Sequence, residues 1–86
     1  MIAYERTPLA NGLTVAVNRD RASKLAAVNI LYKVGARNEN PARTGFAHLF
    51  EHLMFRGTRE VPNFDLPVQM ASGDNNAFTN NDYTDF

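Results

Sequence analysis

The feature that most constrains this chain is a pair of histidines set four residues apart. His48 and His52 are the only two histidines of the sequence, and Glu51 lies between them in the pattern H-x-x-E-H. Residues i and i+4 of an α-helix share one face, so the two imidazoles can converge on a single metal ion if this segment is helical. Glu51 lies on the same side, one turn after His48, where its carboxylate can accept a proton from a nearby water molecule.

The residues around the motif predict that helix. Thr44 provides an N-cap hydroxyl, the helical pattern continues to Arg56, and Gly57 follows in the position of a C′ residue. One side of the helix is apolar, and we expect this side to join a core while the histidines and Glu51 lie on the opposite side. The apolar arc consists of Phe46, Leu49, Phe50 and Leu53.

The rest of the chain predicts short strands, loops and a second, shorter helix. Alternating apolar residues indicate strands, and clusters of Gly, Asn and Pro indicate loops. Pro67 is tolerated in the first turn of the second helix, and Gly73 can end that helix. The predicted segments are a strand at 13–18, a strand at 25–34, a loop at 35–43, a helix at 64–72, a strand at 76–79 and a further strand from Tyr83.

Composition excludes several classes of protein. With nine basic and nine acidic residues, the chain has no charge excess that would favour nucleic acid or an anionic membrane surface. The absence of cysteine excludes disulfides and thiolate metal ligands, and it leaves the redox compartment undetermined. The apolar runs are too short to cross a bilayer. The sequence does not determine the compartment, so the bacterial periplasm and the cytoplasm both remain open.

The H-x-x-E-H motif alone leaves two interpretations open. Histidine pairs at this spacing also arise by chance on helix surfaces, and a motif is a hypothesis until its structural context is known. In the metal interpretation, His48 and His52 are neutral zinc ligands, and a catalytic zinc needs a third protein ligand as well. Glu51 is then the general base toward water and later the proton donor to a leaving amine. That chemistry is hydrolysis of a peptide bond.

Residues 48–58 (HLFEHLMFRGT) resemble the hallmark of the pitrilysin family of inverzincin metallopeptidases, which includes insulysin and the mitochondrial processing peptidase. The resemblance extends along the whole chain, in the family's order and spacing. Four further segments carry it: 11–15 (NGLTV), 34–39 (VGARNE), 45–48 (GFAH) and 76–79 (NAFT).

The resemblance implies an α+β fold, with a mainly antiparallel sheet and helices packed on one face. It implies that His48 and His52 bind Zn2+ and that Glu51 is the catalytic base. It also implies a substrate-binding sheet edge, where an extended peptide adds as a further strand. The residues of that edge are Asn76, Ala77, Phe78 and Thr79. Without the resemblance, these four residues indicate only an ordinary edge strand or turn.

In one respect the chain departs from the family pattern. The third zinc ligand that the resemblance implies is a glutamate about 75 residues beyond the second histidine, but only 34 residues (86 − 52) follow His52. The acidic residues in that stretch do not match the position; they are Glu60, Asp65, Asp74, Asp82 and Asp85. We therefore expect residues 1–86 to be the N-terminal portion of a single peptidase domain that is truncated after residue 86.

The sequence supports three hypotheses for function. The first is a zinc-dependent endopeptidase as the parent protein, acting on peptides or unfolded polypeptides with a second homologous domain or subunit, while residues 1–86 alone are inactive. The second is a non-catalytic structural or peptide-binding subunit of the same family; such subunits typically lose motif residues, and the motif is intact here. The third is a stand-alone binding module of 86 residues, which the abrupt end of the chain disfavours.

Overall fold

The computed structural model describes residues 2–86. Its elements form two small antiparallel sheets and two helices, which confirms the predicted α+β class. In chain order they are β1 (Glu5–Pro8), β2 (Thr14–Val17), β3 (Leu31–Tyr32), a 3-10 turn (Ala36–Asn38), α1 (Phe46–Met54), α2 (Asp65–Met70), β4 (Phe78–Thr79) and β5 (Thr84–Asp85).

Strands β1 and β2 form a hairpin, with Glu5 opposite Val17 and Pro8 opposite Thr14. The connecting turn depends on Gly12, whose φ of +90° suits glycine best. The prediction of a strand at 13–18 is confirmed by β2, but the sequence analysis did not predict β1. Its polar residues do not alternate with apolar ones, and the Asn-Gly turn was the only local signal of a partner strand.

The second sheet has the strand order β3-β5-β4. The predicted strand at 25–34 is much shorter in the structure: β3 covers Leu31–Tyr32, and Ile30 extends the pairing through two backbone hydrogen bonds with Phe86, of 2.8 and 2.9 Å. Strand structure requires a paired neighbour, and β5 is long enough to pair only with the end of this apolar run. The predicted strands at 76–79 and from Tyr83 appear as β4 and β5.

Helix α1 begins at a different cap from the one that the sequence predicted. Gly45 is the N-cap residue, with φ of +94°, and Thr44 makes no capping bond. The first turn is instead satisfied by the carboxylate of Glu39, which accepts hydrogen bonds from the Gly45 and Ala47 backbone N–H groups at 2.6 and 2.7 Å. Because a carboxylate near a helix N-terminus also complements the helix dipole, Glu39 is a stronger cap than a threonine hydroxyl.

The two helices end close to the predicted positions. Helix α1 ends at Met54, two residues before Arg56, and Gly57 adopts the left-handed conformation with φ of +87°. Helix α2 is shorter than the predicted 64–72 and contains Pro67 in its first turn, as expected. Neither helix, and no other helix within residues 2–86, has the length and hydropathy needed to cross a membrane.

The described residues do not enclose a hydrophobic core. None of the apolar residues within 2–86 is buried, and the predicted apolar arc of α1 remains half-exposed, from 49% at Phe46 to 63% at Phe50. The Cα radius of gyration is 15.8 Å, whereas a compact domain of this length has about 12 Å. An open groove of about 300 Å3 lies between part of α1 and the sheet; its walls include Tyr32, Val34, Phe50, Met54 and Phe86.

Candidate metal centre

The two histidines of the motif converge on one another at the surface of α1. The Nε2 atoms of His48 and His52 lie 2.8 Å apart, and the ring centroids are 4.5 Å apart with the planes tilted by 46°. Both side chains are exposed. The two nitrogens therefore point at a common position.

This donor set fits zinc. Imidazole nitrogens are preferred zinc ligands, and in a tetrahedral site with Zn–N bonds of about 2.0–2.1 Å two such nitrogens lie about 3.3 Å apart. The observed 2.8 Å separation is within a small side-chain rotation of that value. The ligand atoms of His48, Glu51 and His52 all lie within 4.8 Å of one another.

Glu51 differs from the histidines in being buried, with 7% of its surface exposed. It faces the sheet, whereas the sequence analysis placed it on the side opposite to the packed face. The Thr79 hydroxyl donates a hydrogen bond of 2.7 Å to Glu51 Oε2. The other oxygen, Oε1, receives no hydrogen bond from residues 2–86 and is not sealed from solvent. One oxygen is therefore held, and the other has no hydrogen-bond partner among the described residues.

The loop at 35–43 and the turn at 80–81 lie beside His48 and are held together by backbone hydrogen bonds. The Ala36 and Arg37 N–H groups donate to the carbonyls of Asn80 and Asn81 at 3.1 and 3.0 Å, and Arg37 forms an exposed ion pair of 3.1 Å with Asp82. Gly35 permits this approach, because a Cβ atom there would lie 2.6 Å from the Asn81 carbonyl. The loop carries Glu39, which caps α1, so these contacts also fix the start of the helix that carries the two histidines.

The predicted substrate strand lies directly beside the site. Phe78 and Thr79 form β4, at one edge of the three-stranded sheet of the described residues. Asn76 and Ala77 lead into the strand, and the Ala77 N–H donates to Asn76 Oδ1 at 2.9 Å. A cavity of about 270 Å3 between His48, Thr79 and the 80–81 turn adjoins this strand.

No third ligand outside the motif is present within residues 2–86. His48, Glu51 and His52 form the one cluster of potential metal ligands in this part of the chain, and neither Glu60 nor any of the aspartates joins it.

Three residues that shape the site were not predicted in these roles: Thr79, whose side chain contacts Glu51, Thr84, which contacts Thr79, and Glu39, which caps α1. Thr79 was predicted only as part of the substrate strand. The residues in these contacts are 28, 5 and 8 positions apart in the sequence and lie in separate elements. Local sequence patterns therefore do not predict them.

Comparison with known proteins gives consistent matches along the chain. Residues 14–86 match the insulinase family, peptidase family M16. A zinc protease of Helicobacter pylori is 39% identical over 84 residues, which are 94% of this chain and 19% of that protein. The mitochondrial-processing peptidase subunit beta of Blastocladiella emersonii is 36% identical over 80 residues, 91% of this chain and 17% of that subunit. An uncharacterized zinc protease of Streptomyces coelicolor is 37% identical over 92% of this chain and 18% of its own length.

Proposed function

The chain belongs to the insulinase family of peptidases (M16), and on that premise we propose that its parent protein is a zinc-dependent endopeptidase. The observation that carries the proposal is the convergence of the His48 and His52 Nε2 atoms, 2.8 Å apart, beside the buried carboxylate of Glu51. Relatives over more than nine-tenths of this chain are named zinc proteases, which supports the same conclusion.

We propose that His48 and His52 hold the zinc ion and that Glu51 is the catalytic base. Zinc held by these residues would lower the pKa of a bound water molecule to about 7 and polarise the scissile carbonyl. Glu51 removes a proton from the attacking water, whose oxygen bonds to the carbonyl carbon. When the C–N bond breaks, Glu51 returns that proton to the leaving amine. The free oxygen of its carboxylate supports this role.

The substrate that fits the site is an extended peptide. Within residues 2–86, one edge of β4 has no strand partner, and it offers backbone hydrogen-bonding groups beside Glu51. Pairing with backbone gives affinity with little dependence on sequence. We propose that residues Asn76 to Thr79 bind the peptide in this way, as a strand added to the sheet. This mode favours unfolded polypeptides, because a folded protein does not present a free strand.

We propose that residues 1–86 are the N-terminal portion of a single peptidase domain and are inactive alone. The chain spans less than a fifth of the length of the curated relatives reported above. The third zinc ligand would then come from a later part of the protein. A second homologous domain or subunit would complete the substrate chamber; the relative named as a beta subunit supports such a partner.

The experiment that tests the function is cleavage of a disordered peptide by the full-length protein. We expect cleavage by the zinc-loaded protein, loss of cleavage after chelation, and recovery when zinc is restored. A full-length protein that contains stoichiometric zinc and cleaves no disordered peptide would contradict the proposal.

A further inference from the structure

We propose that the Thr79 side chain is a positioning residue for Glu51, and this inference rests on the proposed peptidase function. The substrate-strand prediction used only the backbone of Thr79. In the structure its hydroxyl makes a separate contact, the hydrogen bond of 2.7 Å to Glu51 Oε2. That bond holds one carboxylate oxygen against the sheet, whereas the other, Oε1, has no hydrogen-bond partner among residues 2–86.

The direction of this hydrogen bond follows from proton counting. An ionised carboxylate can only accept, and a threonine hydroxyl has one proton to donate. The proton of Thr79 is therefore committed to Glu51. Thr79 Oγ1 also lies 3.3 Å from Thr84 Oγ1. This is a packing contact, because the single hydroxyl proton of Thr84 goes to the Val34 carbonyl.

Thr84 lies opposite Thr79 on the neighbouring strand and helps to fix its position. Thr79 and Thr84 are direct cross-strand partners in the β4–β5 pair. Thr84 is 6% exposed, and its hydroxyl donates to the Val34 carbonyl at 2.9 Å. The position of the Thr79 hydroxyl is thus determined by strand pairing as well as by its own rotamer.

Because Glu51 is buried, its orientation depends on the hydrogen bond from Thr79. A carboxylate that is 7% exposed cannot replace a lost partner freely with bulk water, so its orientation depends on the partner that it has. A general base works only when its free oxygen lies within hydrogen-bonding reach of the proton it takes. Thr79 would therefore influence the rate of the chemical step without touching the metal or the peptide side chains.

The test compares Thr79→Val, Thr79→Ser and Thr7→Val in the full-length, zinc-loaded protein. Valine keeps the branched shape of Thr79 but has no hydroxyl, serine keeps the hydroxyl, and Thr7 is an exposed threonine of β1 that serves as the matched control. We expect Thr79→Val to lower kcat about ten- to hundredfold, the effect of losing a hydrogen bond to a charged group. We expect KM and bound zinc per chain to be unchanged, Thr79→Ser to retain kcat within about threefold, and Thr7→Val to match wild type. Thr79→Ala replaces the valine variant if the latter is insoluble.

A crystal structure of the Thr79→Val protein adds a readout that is independent of activity. We expect the Glu51 carboxylate to be turned away from its wild-type orientation. The inference would be overturned by a Thr79→Val protein that retains wild-type kcat, or by one that loses zinc or changes only KM. In those cases wild type still cleaves peptide, so the proposed function stands. A wild-type protein without zinc-dependent cleavage would instead refute the proposed function, and this inference with it.

Discussion

At the scale of single residues, the site depends on where two neighbouring side chains of α1 point. His52 is exposed at the helix surface, whereas Glu51, the residue before it, is buried against the sheet. Successive helix residues differ by about 100° in direction, so an exposed imidazole and a buried carboxylate can be adjacent in sequence. Helix α1 thus presents the two imidazoles to solvent and the Glu51 carboxylate to the sheet.

Gly35 is the residue whose replacement we expect to disturb this arrangement without touching the motif. Its φ of −152° suits any residue, but a Cβ atom would lie 2.6 Å from the backbone of Asn81. Gly35→Ala should therefore separate the loop from the turn and lower the free energy of unfolding by about 1–3 kcal/mol. Denaturant unfolding of the full-length protein measures this change.

Gly73→Ala is the control for that variant, because its added Cβ would lie 3.2 Å from Val68, a contact that small shifts can relieve. Equal losses of stability in the two alanine variants would show that the loop–turn approach at Gly35 is not specially tight.

At the scale of elements, local sequence patterns predict most of the helices and strands, but they do not predict which strands pair. Helix α1, helix α2 and the strands at β2, β4 and β5 follow from local patterns of apolar residues, turn residues and glycines. The short length of β3 and the existence of β1 do not, since each depends on a partner strand elsewhere in the chain. The cap of α1 was predicted at Thr44 but is supplied by Glu39, because a loop folds back and brings a stronger acceptor to the helix.

That cap gives a prediction for helix α1. Glu39→Ala removes the acceptor of the Gly45 and Ala47 N–H groups, so the first turn of α1 should open more often. We expect amide hydrogen exchange at these two positions to become about five- to tenfold faster. Glu60→Ala, at an exposed position outside the helices, is the matched control. Unchanged exchange in Glu39→Ala would contradict the assignment of Glu39 as the cap.

At the scale of the whole molecule, the described residues have secondary structure without a buried apolar interior. The radius of gyration of 15.8 Å and the half-exposed arc of α1 describe an open arrangement of a hairpin, two helices and a small sheet. Large exposed apolar patches in proteins mark surfaces that are covered by other protein. This arrangement agrees with the proposal that residues 1–86 are one portion of a larger peptidase domain.

We expect the isolated 86-residue chain to bind zinc weakly, to be inactive and to self-associate. Because two histidines without a third ligand form an incomplete site, we expect it to bind zinc more weakly than about 1 µM and to cleave no peptide. Its exposed apolar surface should also cause concentration-dependent self-association. Titration calorimetry with zinc and light scattering measure the two effects. A monomeric chain with submicromolar zinc affinity and peptidase activity would contradict the proposed domain organisation.

The most direct test of the central claim is the activity of the Glu51→Gln variant of the full-length protein, compared with wild type at equal zinc content. Glutamine keeps the shape of the side chain and can still accept the Thr79 hydrogen bond, but it cannot act as a base. We predict that the variant binds zinc as wild type does and loses at least about a hundredfold in kcat. A Glu51→Gln protein that retains zinc and cleaves peptide at the wild-type rate would contradict the account.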